Sequence, residues 1–375
     1  MTISKTFAIA VFACLLGSSQ AYKLIASSRM LGTSNCPDCH GWVAFHEDSN
    51  KVVRAVVSLA GMQRQANSLR AMRIHELGDI SNSNGSSMAG VFNPEGLVAN
   101  CEEGTFGGVL GNVQIGADGR AKATLSHNAI SLNINNNGLI LGRGIAVHNY
   151  SQPLDKCPDA IQLGAVLSQG VIGYAPGSEV YNLDLERHVE PMLNEAKAVW
   201  HPIPGRNADS DFSGARGTTR FEQLADGVRV HMDLAGLPRN RDLGLHITEF
   251  ASILEDNVDN LGNVWSPVRN AQHGCRSTDP ARSRAGDLGN VRTSDSGTVK
   301  ESFVLPGVNI FRSGINTLLG RAIVIHNAAD DCSDVSASGV KGRRVAYGVI
   351  GASNAAFATA AALGVATASA LSMLF

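Results

Sequence analysis

The chain has 375 residues, a formal net charge of -2, 17% charged residues and 5% aromatics. A near-neutral chain carries no broad field to gather nucleic acid or an anionic membrane surface. Few aromatics together with 40 glycines speak for compact β structure with many turns and against a helix-dominated chain.

From the N-terminus, Met1-Thr2-Ile3-Ser4-Lys5 precedes an apolar run over 7–16, and Ser19-Gln20-Ala21 sets small residues where a signal peptidase cuts. The pattern predicts a secretory signal over 1–21, with the mature chain opening at Tyr22. Beyond Cys14 there are six cysteines, an even number that suits an oxidising compartment. Cys36-Pro37-Asp38-Cys39-His40 has the spacing of a haem-attachment motif, a redox pair or a local disulfide. In a short secreted stretch ahead of β strands, a structural Cys36–Cys39 bridge is the expected reading. Asn84-Gly85-Ser86 and Asn149-Tyr150-Ser151 are glycosylation acceptors, on Asn84 and Asn149, if the chain is secreted.

Period-two patterns follow. Val228, Val230, Met232 and Leu234 alternate with polar neighbours, and Val53, Ala55, Val57 and Leu59 do so less cleanly, because Val56 sits on the other face. Such strands bury one face and wet the other. Gly116-Ala117-Asp118-Gly119 reads as a hairpin turn. The chain also repeats itself. Leu110-Gly111-Asn112-Val113 recurs at 288–291, Leu141-Gly142-Arg143-Gly144 opens a stretch that recurs from Leu319, and Gly170-Val171-Ile172-Gly173 recurs at 348–351. All three pairs are offset by 178 positions, so two copies of one domain are present. Residues 174–195, with Pro176-Gly177-Ser178, read as the linker. The last 353–375 are free of charge and rich in Ala, Leu, Val, Thr and Ser, which suggests a glycolipid-anchor signal, with a single membrane span as the alternative.

At these same residues the chain resembles the Cu,Zn superoxide dismutase family. The second half carries Gly244-Leu245-His246-Ile247-Thr248-Glu249-Phe250, Gly286-Asp287-Leu288-Gly289-Asn290-Val291, Gly320-Arg321-Ala322-Ile323-Val324-Ile325-His326 and Gly348-Val349-Ile350-Gly351. The first half carries Arg73-Ile74-His75-Glu76-Leu77-Gly78-Asp79, Phe92-Asn93-Pro94 and the matching late motifs. The resemblance covers 22–173 and 196–352. It implies an all-β chain of two tandem eight-stranded Greek-key barrels, each with a metal site on one outer face under two long loops.

The resemblance also implies what a working site requires. Copper takes four imidazoles, one of which bridges to zinc. Zinc takes that bridge, two more histidines and an aspartate, and an arginine guides the superoxide anion. In the first copy the copper positions retain His75 and His148, while Arg73 replaces an imidazole and Val91 stands at the bridge. The zinc positions there match Phe106 and Val109, and the anion-guide position matches Val166. In the second copy His246 and His326 remain for copper, and His273 and Asp287 for zinc. Thr248, Val264 and Arg284 occupy the other positions, and Arg344 the anion guide. A guanidinium cannot give up its proton, so Arg73 would set a fixed positive charge beside any copper. Two imidazoles hold copper weakly at best, and His75 with His148 fit equally a hydrogen-bonded pair.

The repeat and the resemblance together predict bridges Cys101–Cys157 and Cys275–Cys332, each tying the zinc-loop equivalent to the loop after the last copper histidine. The family's own disulfide positions match Gly85 and Gln169 in the first copy, and its second partner matches Tyr347 in the second. His127, His188, His201 and His231 have no partner at ligand spacing and are expected at the surface. The expected function is a secreted or surface-anchored module with incomplete metal sites and weak or no dismutase activity. Its binding partner is unidentified, it has no nucleic-acid partner, and it meets a membrane only through its tail. The alternative is a superoxide dismutase or copper-binding protein working through the residual ligands of the second barrel. No cofactor is certain; copper, and less readily zinc, are the ions the remaining residues could take at low occupancy.

Overall fold

The computed structural model describes residues 24–94, 107–133, 136–152, 163–176, 193–267, 271–275, 284–311, 315–332 and 342–353. The expected signal segment, the expected tail beyond Ser353, which ends β19, and most of the expected linker lie outside them. The first half builds β1 (Leu24–Gly32), β2 (His40–Glu47), β3 (Val53–Ala60), β4 (Ser68–His75), β5 (Val109–Ile115), β6 (Ala121–His127), β7 (Gly144–His148), β8 (Val166–Val171) and β9 (Gly173–Tyr174). The second half builds β10 (Glu195–Val199), β11 (His201–Pro202), β12 (Arg216–Leu224), β13 (Gly227–Ala235), β14 (Asp242–Thr248), β15 (Asp287–Arg292), β16 (Val299–Pro306), β17 (Ala322–His326), β18 (Arg344–Val349) and β19 (Gly351–Ser353). Among the described residues the only helical turns are 3-10 segments of three or four residues.

In the first half the hydrogen-bonded order is β5-β4-β7-β8-β1-β2-β3-β6, with β9 on β1. β6 returns to β3 and β7 to β4, all antiparallel, which is the Greek-key crossing. The second half repeats the pairing in two sheets, β16-β13-β12-β10-β19 and β11-β18-β17-β14-β15. There the strand equivalent to β1 is interrupted at Trp200, whose indole Nε1 donates to Thr219 Oγ1 at 2.8 Å inside the barrel. The two tandem barrels expected from the resemblance are therefore present.

Alternation decides the inside. Along β3, Val53, Ala55, Val57 and Leu59 are buried and their neighbours are not. β13 does the same from Val228 on, with Val228, Val230, Met232 and Leu234 buried. Phe45, Met72, Ile74, Ile115 and Val147 pack the first core, and Phe221, Trp265, Leu245, Ile325 and Val345 the second. Each such side chain taken out of water contributes about 1.5–3 kcal/mol. The turn between β5 and β6 is the expected hairpin, closed by Gly119 N donating to Gly116 O at 3.1 Å.

The barrels meet through a pseudo-two-fold seam. Gly78 N donates to Ala352 O, and Ala352 N to Gly142 O, both at 2.8 Å. The matching bonds run the other way: Ala251 N to Tyr174 O at 2.9 Å, and Tyr174 N to Gly320 O at 2.8 Å. Leu77 joins the apolar cluster of the second barrel, and Phe250 packs against that of the first. The approach needs glycine: a Cβ on Gly351 would sit 2.2 Å from Gly78 O. Polar contacts break the symmetry. The buried Asp79 carboxylate accepts from Lys197 Nζ at 2.8 Å and from Ser353 Oγ at 2.9 Å, and Arg29 faces Asp256 at 3.6 Å.

Candidate metal centre

In the second barrel the site grows from the end of β14, the end of β17 and the loops that flank β15. Strand alternation sends His246 outward from β14, while the β-bulges beside His246 and His326 swing both rings toward one point. His246 and His326 face each other edge to face, centroids 5.2 Å apart, and His273 lies 6.0 Å from His246. His246, His273 and Asp287 form a buried group whose potential ligand atoms lie within 4.8 Å of one another.

A residue that was not anticipated organises this group. Asp330, in the loop after β17, accepts from His246 Nε2 at 2.8 Å through Oδ2, and meets His273 Nε2 at 3.0 Å through Oδ1. Burial alone would raise its carboxyl, but those bonds outweigh burial and hold it at about 2. Since the ionised carboxylate must accept, His246 donates from Nε2. In the neutral ring that leaves the Nδ1 lone pair, which is buried and has no hydrogen-bond partner. His273 meets carboxylates on both sides, with Nδ1 2.8 Å from Asp287 Oδ1. Burial pushes Asp287's carboxyl up. Burial also drives His326 down to about 3, helped by the neighbouring His246 and Arg344 charges.

A cavity of about 630 Å³ opens beside these rings, lined among others by His246, His326, Thr248, Val264, Arg284 and Arg344. Arg344 is anchored rather than swinging: its Nη1 donates to Val258 O at 2.9 Å and its Nη2 to Gly262 O. The Thr248 hydroxyl donates inward to Phe250 O at 2.7 Å, and Val264, bridged to Thr248, offers no donor atom. Arg284 lies close enough to Asp287 for its charge to lower that carboxyl.

The first barrel arranges the same positions differently. Arg73 is 4% exposed and its Nε donates to Gln152 Oε1 at 3.0 Å, with Nη2 on the same oxygen. His75 donates from Nδ1 to Ala89 O at 3.1 Å, and its Nε2 meets His148 Nε2 at 3.2 Å. Burial lowers His75, and burial with the His75 and Arg73 charges takes His148 to about 3. Val91 pairs with His75 at the bridging position. These residues do not fit copper: two imidazoles hydrogen-bond each other beside a buried, permanent cation. The second barrel fits copper in part, through His246 and His326. It fits zinc poorly, because His273 and Asp287 bond to each other and Arg284 holds the next position. Among the described residues no group of mutually close donors contains more than two imidazoles.

Cys275–Cys332 and Cys36–Cys39 are disulfides, with Cα atoms 5.1 and 5.4 Å apart. Cys101, Cys157 and Phe106 lie outside the described residues. Asn84 is exposed and its Oδ1 accepts from Ser86 N at 2.9 Å, whereas Asn149 is half-buried. Of the histidines expected at the surface, His127 is buried, and His201 and His231 are half-buried. His127 is 7% exposed, with Nδ1 accepting from Ala129 N at 3.1 Å. His201 is held at about 4 by burial and the Arg29 charge, and His231 is half-buried with Nε2 3.3 Å from Glu222. The neighbours of His201 and His231 lie on other strands, where spacing along the chain does not reach them. His188 lies outside the described residues. Asp330 and Gln152 were open to discovery: they are related by the same offset of 178 as the rest of the repeat.

A family profile described as copper/zinc superoxide dismutase matches residues 39–172 and 215–350. The superoxide dismutase [Cu-Zn] of Saccharomyces cerevisiae is 34% identical over 149 residues, covering 38% of this chain and 93% of that one. Extracellular superoxide dismutase [Cu-Zn] 3 of Dictyostelium discoideum is 34% identical over 97 residues, 26% of this chain and 23% of its own. Among solved structures, the clock protein EA4 covers 44% of this chain and 99% of its own at 28% identity, with a TM-score of 0.37. With both halves matched, the chain belongs to the copper/zinc superoxide dismutase family, as a tandem member.

Proposed function

We propose that this chain is a secreted or surface-anchored tandem member with weak or no dismutase activity, working as a rigid extracellular interaction module. The observation that carries the reading is valine at the bridging position of both barrels, Val91 and Val264, each paired to the strand that bears the copper positions. Turnover of superoxide alternates copper between two oxidation states, which requires several converging imidazoles and a proton donor to the product. Valine supplies neither. Arg73, buried and clasped by Gln152, adds a fixed positive charge at the first copper position of barrel 1. Secretion is supported by the pattern of 1–21 and by two disulfides among the described residues. The charge-free tail over 353–375 supports a lipid anchor, and Asn84 and Asn149 would then be open to glycosylation.

The test is to secrete the protein, load it with copper and zinc, and measure bound metal per chain beside superoxide decay. Decay at the buffer rate is expected. Stoichiometric copper with rapid turnover would overturn the reading.

A second reading is favoured by one specific observation: the unpartnered His246 Nδ1 beside His326 at a cavity that also holds Arg344. There the second barrel binds copper, held by His246 and His326, and the ion supplies one-electron chemistry when present. Arg344 would draw a small anion to the same cavity. Copper binding lost in His326→Ala supports this; copper retained in that variant rejects it.

A further inference from the structure

We propose that Cys275, Cys332, Asp330 and His273 form a zinc site that exists only when the Cys275–Cys332 disulfide is reduced. The two sulfurs and an Asp330 carboxylate oxygen lie within 4.8 Å of one another. His273 Nε2 stands 3.0 Å from Asp330 Oδ1, at the edge of that group. The arrangement comes from two short arms: His273 and Cys275 are two residues apart in one loop, Asp330 and Cys332 two apart in another, and the disulfide joins them. Two sulfurs, one nitrogen and one oxygen make a closed four-donor set of the kind that structural zinc takes. Sulfurs bound to one tetrahedral zinc at about 2.3 Å stand roughly 3.8 Å apart, a separation that rotation of both side chains reaches from Cα atoms so close. The Cα separation here is 5.1 Å. Cys275, Asp330 and His273 are buried, so the ion would sit away from competing water.

The chemistry balances. An external dithiol gives two electrons and two protons to the disulfide, leaving two thiols and its own cyclic disulfide. Zinc then forms two metal–sulfur bonds, and two thiol protons leave to solvent. His273 Nε2 exchanges its contact with Asp330 for the ion. An external disulfide that takes two electrons from the thiolates, and is itself reduced to two thiols, re-forms the bridge and ejects the metal, so bridge and ion exclude each other. The site shares Asp330 with His246, whose Nε2 lies 2.8 Å from Asp330 Oδ2, but it takes neither His246 nor His326 as a ligand, and it does not depend on whether the protein turns over superoxide.

The experiment uses the full mature chain, reduced anaerobically with a dithiol, freed of reductant, and titrated with Co²⁺ as the probe. One equivalent is expected, with sulfur-to-cobalt charge-transfer absorption and the intense visible bands of a tetrahedral site, displaced by Zn²⁺. The oxidised protein should show neither. The Cys36→Ser/Cys39→Ser variant should keep the bands and the Cys275→Ser/Cys332→Ser variant should lose them. Because that second variant loses a loop tie, alkylation of the reduced wild type is followed as well: Zn²⁺ should slow labelling of Cys275 and Cys332 by about tenfold or more. A reduced protein without thiolate bands, bands that survive loss of Cys275 and Cys332, or labelling indifferent to zinc would each overturn the site.

Discussion

Gln152 and Asp330 hold the same place in the two barrels, and each is clasped by an asparagine from the neighbouring strand in the same way. Asn112 Nδ2 donates to Gln152 O at 2.8 Å and Gln152 N to Asn112 Oδ1 at 2.7 Å; Asn290 and Asp330 repeat both bonds at the same lengths. Only the side chains differ. The neutral amide of Gln152 meets the guanidinium of Arg73, and the carboxylate of Asp330 meets the imidazoles of His246 and His273. Asp330→Asn keeps the shape and removes the charge, leaving two buried imidazoles poorly matched. A loss of about 2–4 kcal/mol is expected, read as a lower urea midpoint for the second barrel.

The first barrel should be recoverable as a metal site. Arg73→His, Gln152→Asp and Val91→His, made together, would add imidazoles beside His75 and His148 and remove the buried cation. The triple variant is expected to bind one copper where the parent barrel binds none, measured by elemental analysis after dialysis. Arg73→His alone should gain little, because the bridging position would still be valine.

Stability should fall as the solution is acidified, and His201 is one cause. Burial and Arg29 hold it at about 4 in the folded protein, against 6.5 when unfolded. Between those values the unfolded chain takes up a proton that the folded chain refuses. The effect is absent above pH 6.5 and grows as pH falls toward 4, by about 1.4 kcal/mol per pH unit. His201→Gln should flatten that part of the stability profile, measured by denaturant titrations at stepped pH. An unchanged slope would remove His201 from the account.

The seam between the barrels can be opened without unfolding either one. Gly351→Val would drive side-chain atoms into Gly78 O, which a Cβ alone would approach to 2.2 Å. The variant should keep its β-sheet circular dichroism and show a larger radius of gyration by small-angle scattering. Asp79→Asn tests the polar half of the same seam. Burial alone would raise the Asp79 carboxyl, but Lys197 and Ser81 hold it below its usual value. Removing its charge should cost about 1–3 kcal/mol, seen as a lower midpoint in thermal melts.

Much of the fold was legible because it rests on two local codes. Alternation along β3 and β13 told which residues face inward, and the constant offset of 178 told that the second half repeats the first. The site was legible as a roll of missing imidazoles and of the retained His246, His326, His273 and Asp287, which the fold does bring together. What fills the vacated positions depends on contacts across the fold, such as Arg73 with Gln152, 79 residues apart, or His246 with Asp330, 84 apart. Spacing along the chain says nothing about such pairs. His201 was misplaced at the surface for the same reason: its surroundings come from Tyr347 and from Arg29 of the other barrel.

The reciprocal bonds between Gly78, Ala352, Gly142 and their counterparts Ala251, Tyr174 and Gly320 carry a consequence for how the pair behaves on dilution. Two separate subunits joined by such a seam would come apart once diluted below their dissociation constant, because association follows the law of mass action. Tethered in one polypeptide, each barrel meets its mate at an effective concentration set by the length of the connection, in the millimolar range for a short one. Dilution into a large volume leaves that value unchanged. The assembly therefore stays whole at any protein concentration, however scarce the chain becomes.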